Sequence, residues 1–219
     1  MKDATIAGAM ALVLTVLGAA GPAGADEFEA SLHLQPVGGL ARLAEDGADA
    51  AVSVPVVGGA VRFTYGLSNR LALDSELGFA SAGAAQYEDV TATVGGTTTG
   101  GLTLDRTTRL ARLTTGATWR FGVAVIPTLH LGAGLGARLR GDAAYRLPQT
   151  GTTVIADDDP SGLSFDLLVT ARLGLDVRLG ARWLVGAAAG VTHAVPLGAP
   201  AMDLAEVHLH AAYYWYPLW

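Results

Sequence analysis

The chain has 219 residues, a formal net charge of −6 and no cysteine; 51% of its residues are hydrophobic and 16% charged. That length suits one barrel or sandwich domain, and the lack of cysteine excludes a disulfide framework. Lys2 is the only lysine and the arginines form no basic tract, so no nucleic-acid surface is expected.

Lys2 opens a short basic segment, weakened by Asp3, and Ile6 to Ala20 is apolar. Gly21 and Pro22 break that run, and Ala23-Gly24-Ala25 is a small-x-small cleavage site. A secretory signal peptide over residues 1–25 is expected, with the exported domain spanning 26–219 from Asp26. The apolar run falls short of the roughly 20 residues of a spanning helix, and no later window is long and apolar enough to be one.

Beyond residue 25 the hydrophobic pattern has a period of two, which sends alternate side chains to opposite faces of a strand. The first predicted strand, Phe28 to Pro36, sets Phe28, Ala30, Leu32 and Leu34 against Glu29, Ser31, His33 and Gln35. The second, Ala60 to Leu67, alternates Val61, Phe63, Tyr65 and Leu67 with Arg62 and Thr64, and the third, Leu71 to Ala82, sets Leu73, Leu77 and Phe79 against Asp74, Glu76 and Gly78. The fourth runs from about Arg106 to Phe121, with Leu113, Ala117, Trp119 and Phe121 facing away from Arg112, Gly116 and Arg120. The fifth, Ile126 to Arg140, opposes Leu129, Leu131 and Leu135 to His130, three glycines, Arg138 and Arg140. The sixth, Leu163 to Leu179, is apolar at every odd position and carries Asp166, Arg172, Asp176 and Arg178 between; only Leu168 interrupts it. The seventh is Trp183 to His193, and the last runs from Val207 through Tyr213 and Trp215 to Trp219.

Short turns lie at Ser68–Arg70, Gly122–Val125 and Gly180–Arg182. Longer polar connections, read as loops, lie at Val37–Gly59, Ala84–Asp105, Gly141–Gly162 and Ala194–Asp203. Three short and four long connections fit eight up-and-down strands with both termini on one side of a membrane. An even strand number lets the sheet close without an edge. The expected fold is all-β: an eight-stranded antiparallel up-and-down transmembrane β-barrel. Trp119, Trp183, Trp215 and Trp219 fall on the apolar parity near the short-turn end with Phe28 and Phe121, while Phe79 and Phe165 sit toward the other end. Two aromatic girdles around an aliphatic band mark a bilayer barrel. A soluble lipocalin-type barrel would instead show a charged outer face, and here the polar face is sparse, glycine-rich and free of lysine.

The alternating pattern and the last strand ending in Tyr213, Trp215 and Trp219 resemble the small outer-membrane barrels: the OmpA-type transmembrane domain and its OmpX- and OmpW-like relatives. The resemblance implies residence in the bacterial outer membrane among lipid and lipopolysaccharide. It also implies assembly by barrel-insertion machinery that reads the terminal aromatic strand, and a monomer.

Eight strands enclose a space that side chains can fill. The inward positions hold Glu29, Arg62, Asp74, Glu76, Arg112, Arg120, Arg138, Arg140, Asp166, Arg172, Asp176 and Arg178, so ion pairs across the lumen are expected. Their bland reading is a plug and the sharper one a narrow pore. Closure would bring His33 toward His208 and His210, where hydrogen-bonded histidines are expected rather than a metal site. His193, Asp203 and a serine, Ser161 or Ser164, are the residues a lipid-modifying hydrolase would use, but nothing in their spacing fixes that geometry. No catalytic, cofactor or metal site is assigned. The expected function is a structural or surface-binding role through acidic outer loops, which carry Glu45, Asp46, Asp49, Glu88, Asp89, Asp105, Asp142 and Asp157-Asp158-Asp159.

Overall fold

A computed structural model describes residues 28–122, 124–147, 149–157, 162–197 and 200–215. The expected signal peptide, Asp158, Asp159, Ser161 and Trp219 lie outside these residues. The strands are β1 (Ala30–Leu43), β2 (Val52–Gly66), β3 (Leu71–Val94), β4 (Thr97–Arg120), β5 (Val125–Arg140), β6 (Ala144–Arg146), β7 (Thr153–Val154), β8 (Gly162–Leu179), β9 (Trp183–Leu197) and β10 (Met202–Trp215). All pairs are antiparallel, and the ring β1-β2-β3-β4-β5-β8-β9-β10 closes between β10 and β1, an eight-stranded barrel. Closure satisfies the backbone of every ring strand without water, which hydrocarbon requires.

The register sets the shape. Leu135 pairs with Leu113, and the row continues through Leu77, Val61, Leu34, Ala211, Val185 and Val177 to Val125. The path returns to β5 ten residues below its start, at 125 rather than 135. A rise of about 3.3 Å per residue over eight spacings of about 4.8 Å gives a strand tilt of roughly 40°. Leu34, Leu77, Leu113, Leu135, Val169 and Leu209 are exposed on the outside, whereas Glu29, Asp74, Glu76, Arg112 and Arg172 are buried within. A surface greasy outside and charged inside is stable only with hydrocarbon around it.

Three of the four segments read as long loops are mostly strand, while Gly141–Gly162 holds only the short β6 and β7 before β8 begins. β1 runs on to Leu43 and β2 starts at Val52; β9 reaches Leu197 and β10 starts at Met202. β3 and β4 each have 24 residues and meet at a two-residue turn, Gly95-Gly96, where φ of 58° and 76° suits glycine and matches the twist of a hairpin. Register shifts beyond Ala82 and Tyr87 bend this hairpin, and Asp89 takes a left-handed φ of 54° there. The polarity of the strands inverts beyond the aliphatic band: Thr103, Asp105 and Arg109 face outward on β4 while Leu102, Leu104 and Leu110 are buried. That inversion, together with the Gly and Thr content, makes the segment look like loop.

The inward side of these extensions forms an apolar cluster that includes Val54, Val56, Ala80, Tyr87, Leu102, Leu104, Leu110, Leu168, Met202 and Leu204. Leu168, the one interruption in the sixth predicted strand, is part of it. The short strand β6 docks on β4 through Thr103–Arg146 and Leu104–Tyr145 pairing, and β7 pairs in turn with β6. The loop after β1 and the segment after β7 are tied to the β3–β4 hairpin by Thr91 N to Gly47 O (3.1 Å), Asp157 N to Thr93 O (2.7 Å) and Gly96 N to Asp157 Oδ2 (2.7 Å).

Candidate functional site

The closed ring brings acids and arginines together from strands far apart in sequence. Near the short-turn end, Arg178 donates to Glu29 (2.7 Å), and Arg120 lies 4.0 Å from the same carboxylate. Both guanidiniums sit over the Tyr214 ring, at 5.2 and 5.8 Å from its centre. Next come Asp176 with His210 (2.9 Å) and Asp74, which accepts from Thr118 (2.7 Å) and lies 3.1 Å from His130 Nδ1. Glu76 is the hub above these. Arg172 donates to both its oxygens (2.5 and 2.8 Å) and Arg112 lies 3.5 Å away, while Arg112 also reaches both oxygens of Glu206 at 2.7 Å. The two-nitrogen fork of Arg172 is the strong form of the arginine–carboxylate pair, whereas Arg112 reaches both Glu206 oxygens from Nη1 alone.

Over that layer lies the apolar cluster. At its level Arg138 forks onto Asp166 (2.7 and 3.0 Å) and donates to the Pro200 carbonyl (2.6 Å). Arg106 and Arg140 approach Glu45 at 3.1 and 3.5 Å. Tyr87 belongs to the β3–β4 extension beyond the aliphatic band, and burial, with Glu45 nearby, pushes its phenol up to about 12.

The twelve charged positions read as inward all point into the barrel; Arg140 and Arg178 are half-buried and the others buried. Arg62 makes no ion pair among the described residues; its contact is His33 Nδ1 at 3.4 Å. Glu206 and Arg106 are additional members. The sequence reading starts the last strand at Val207 and so omits Glu206, although Met202, Leu204, Glu206 and His208 continue one parity without a break. The inward glycines accommodate these side chains: a Cβ on Gly78 would lie 2.8 Å from Arg112 Nε.

Of the histidines expected to meet, His33 and His210 do, with ring centres 5.4 Å apart, while His208 turns to Gln35 (3.1 Å). No group of three or more metal-capable side chains occurs among the described residues. His193 and Asp203 lie on the outer face, hydrogen-bonded at 2.5 Å and both exposed. Ser164 is not with them; its hydroxyl donates to the Arg138 carbonyl at 3.5 Å. The described aromatic residues expected at the membrane interfaces lie outside the barrel, whereas Tyr87, Tyr145 and Tyr214 are buried within it. Phe28, Phe79, Phe165 and Trp183 are exposed, and Trp119, Phe121, Tyr213 and Trp215 half-buried. Trp183, Tyr213 and Trp215 form a ring chain at 5.2 and 6.3 Å that ends on Phe63 at 6.1 Å.

A closed ring of eight antiparallel strands, charged within and apolar without, defines an integral β-barrel of the outer-membrane type. No protein-family model matches the chain, and no curated protein sequence matches it. Among solved structures it is similar to Ail, the attachment invasion locus protein of Yersinia pestis, at 17% identity over 86% of this chain and 99% of that one, with a TM-score of 0.49. It is also similar to Neisserial surface protein A, at 14% identity over 85% and 97% of the two chains and a TM-score of 0.44. A third is the outer membrane protein OprG from Pseudomonas aeruginosa, at 13% identity over 89% and 99% and a TM-score of 0.40. Likeness at this level concerns fold alone and transfers no ligand or activity.

Proposed function

We propose that the protein is a closed, non-enzymatic barrel of the bacterial outer membrane whose work is done by its extracellular extension. The observation that carries this reading is the filling of the lumen. Ion pairs around Glu76 and Glu206 span it, and the apolar cluster around Leu168 and Leu110, with the Arg138–Asp166 pair along its wall, covers them on the extracellular side. An ion passing upward would meet buried aliphatic carbon, which offers it no hydration. The extension is a platform of paired strands, suited to present a fixed surface to a partner. In this reading the signal peptide exports the chain, lipid and lipopolysaccharide surround the barrel, and the insertion machinery reads the last strand with Tyr213, Trp215 and Trp219. The outward aromatics Phe28, Trp119, Phe121, Trp183 and Trp215 sit at one membrane interface, with Phe79 and Phe165 toward the other.

Planar-bilayer conductance of the refolded chain from Asp26 to Trp219 tests the reading. A folded barrel that stays silent supports it. Discrete openings would overturn it and make Arg172 and Asp166 the first residues to mutate. A narrow pore is the second reading, favoured by buried polar atoms below the apolar cluster that lack protein partners, among them Arg62 Nε, His130 Nε2 and His210 Nδ1. Such atoms call for water. The hydrolase reading has His193 and Asp203, but Ser164 is turned to the Arg138 carbonyl, and Ser53, which lines the same cleft, stands three strands from His193; lipid A of unchanged mass on overexpression would exclude it.

A further inference from the structure

The outer face breaks its apolar pattern along one row. Ser53, Arg42, Asp203 and His193 are consecutive cross-strand partners on β2, β1, β10 and β9, all pointing outward. Two residues lower, the same strands present Pro55, Leu40, Ala205 and Val191, and two lower again Val57, Gly38, Val207 and Ala189. A charge facing hydrocarbon at mid-membrane is costly and near the interface nearly free, so this row lies near the headgroups at its Ser53 end and, because the strands are tilted, sinks by about 3 Å per strand toward His193. On the His193 side the apolar surface climbs past it: Val195 and Leu197 on β9 and Leu167 and Phe165 on β8 are exposed. The polar row is therefore a notch.

The wall beneath the notch is hollow. A cleft of about 350 Å³ is lined by Arg42, Ser53, His193 and Asp203 together with Leu40, Val191 and Ala205. Across the Leu40–Ala205 pair a second hollow of about 380 Å³ continues along Pro36, Gly38, Val207 and Leu209. Gly38 lies four residues below Arg42, about 13 Å along the strand. Asp203 is engaged by His193, while Arg42 makes no ion pair among the described residues. The notch thus offers an unpaired guanidinium, a hydroxyl and a neighbouring imidazole at the top of an apolar trough.

We propose that this trough is a binding site for a phosphate-bearing glycolipid of the surrounding outer leaflet. Its phosphate accepts from Arg42 and Ser53, and one acyl chain runs down past Ala205 and Gly38. Exchange of one hydrocarbon neighbour for another inside a bilayer yields little, so selectivity resides in the polar end and the trough contributes shape. Arg109 is an internal comparison. It too faces outward, between Ser81 and Leu139, but does not line this trough.

This site rests on the outer-membrane reading, and the test separates the two. The full exported chain is refolded into zwitterionic nanodiscs doped with bis-phosphorylated lipid A, and retained lipid is counted by native mass spectrometry after transfer to detergent. Folding of each variant is scored first by its migration on unboiled gels. Retention of a single lipid A is expected, falling about tenfold in Arg42→Gln through loss of a charged hydrogen bond. Retention should persist in Arg42→Lys and Arg109→Gln, and in Asp203→Asn, because an anion needs no carboxylate. Equal losses in Arg42→Gln and Arg109→Gln, equal retention of dephosphorylated lipid A, loss confined to Asp203→Asn, or a second copy of the chain on this face would each overturn the site. A folded, inserted barrel without lipid would end this proposal alone; failure to insert would end both.

Discussion

Glu76→Gln is the most informative single substitution in the lumen. Glu76 is 0% exposed, Arg172 4% and Arg112 3%. The carboxylate takes both donors of Arg172 at 2.5 and 2.8 Å and has Arg112 at 3.5 Å, with Arg62 facing it across the β2–β3 pair. An amide of the same shape leaves one acceptor for Arg172 and turns an N–H group toward the guanidiniums. Removing one partner of a buried ion pair costs about 3–5 kcal/mol, because the remaining charge is left in a poor solvent. Arg112 keeps Glu206, so the loss should fall near the middle, about 4 kcal/mol. With a urea dependence of about 2 kcal/mol per molar, the unfolding midpoint should drop by roughly 2 M. The assay is urea unfolding from lipid vesicles followed by tryptophan fluorescence, run forward and backward. The double variant Glu76→Leu/Arg172→Leu removes both charges and should recover much of the loss. A decrease below about 1 kcal/mol would refute the reasoning, since exposed pairs are worth that little; the lumen would then be solvated, and conductance should be found.

Other expectations follow from the apolar cluster, the extension and the girdle. Leu168→Ala removes a side chain only 1% exposed and should cost about 2–5 kcal/mol in the same assay; if the cluster is the seal, this variant should also show channel openings that the parent lacks. Tyr87, held up to about 12 in the folded barrel, should be visible as a late step in ultraviolet titration. Its raised value means that the folded state keeps the phenol proton more tightly. The associated stability is therefore present below the unfolded value near 10 and is lost as pH rises through about 12, and a Tyr87→Phe variant should lack that loss. Lipids brominated near the headgroup should quench fluorescence more strongly than lipids brominated at the chain ends, because Trp119, Trp183 and Trp215 lie toward the short-turn end; the opposite order would move the bilayer along the barrel.

Much of the wall was legible. A strand's parity is a local property, so Leu163 to Leu179 could be sorted into outward and inward sets from one segment alone, and Leu168 could be seen to break it. The extensions were not legible, since outward Thr103, Asp105 and Arg109 are polar and carry no lipid signal. Strand character there rests on inward Leu102 and Leu104, whose cluster is drawn from several strands far apart in sequence. The histidine expectation was met in part: strand closure forces His33 near His210, but the exact register and side-chain rotation decide that His208 goes to Gln35.

The sequence by itself determined the class of the molecule: period-two strands, a face that only lipid can cover, and a polar set confined to the other face. Each of those follows from residues a few positions apart. The tertiary structure alone decided the partners. Arg172 meets Glu76 across 96 residues, Arg112 meets Glu206 across 94 and Arg178 meets Glu29 across 149. Those meetings depend on the ten-residue stagger that closes the ring. A shift of two residues in any one register would keep every side chain on its face and change every pair, because parity repeats every second residue while an ion pair needs one particular neighbour.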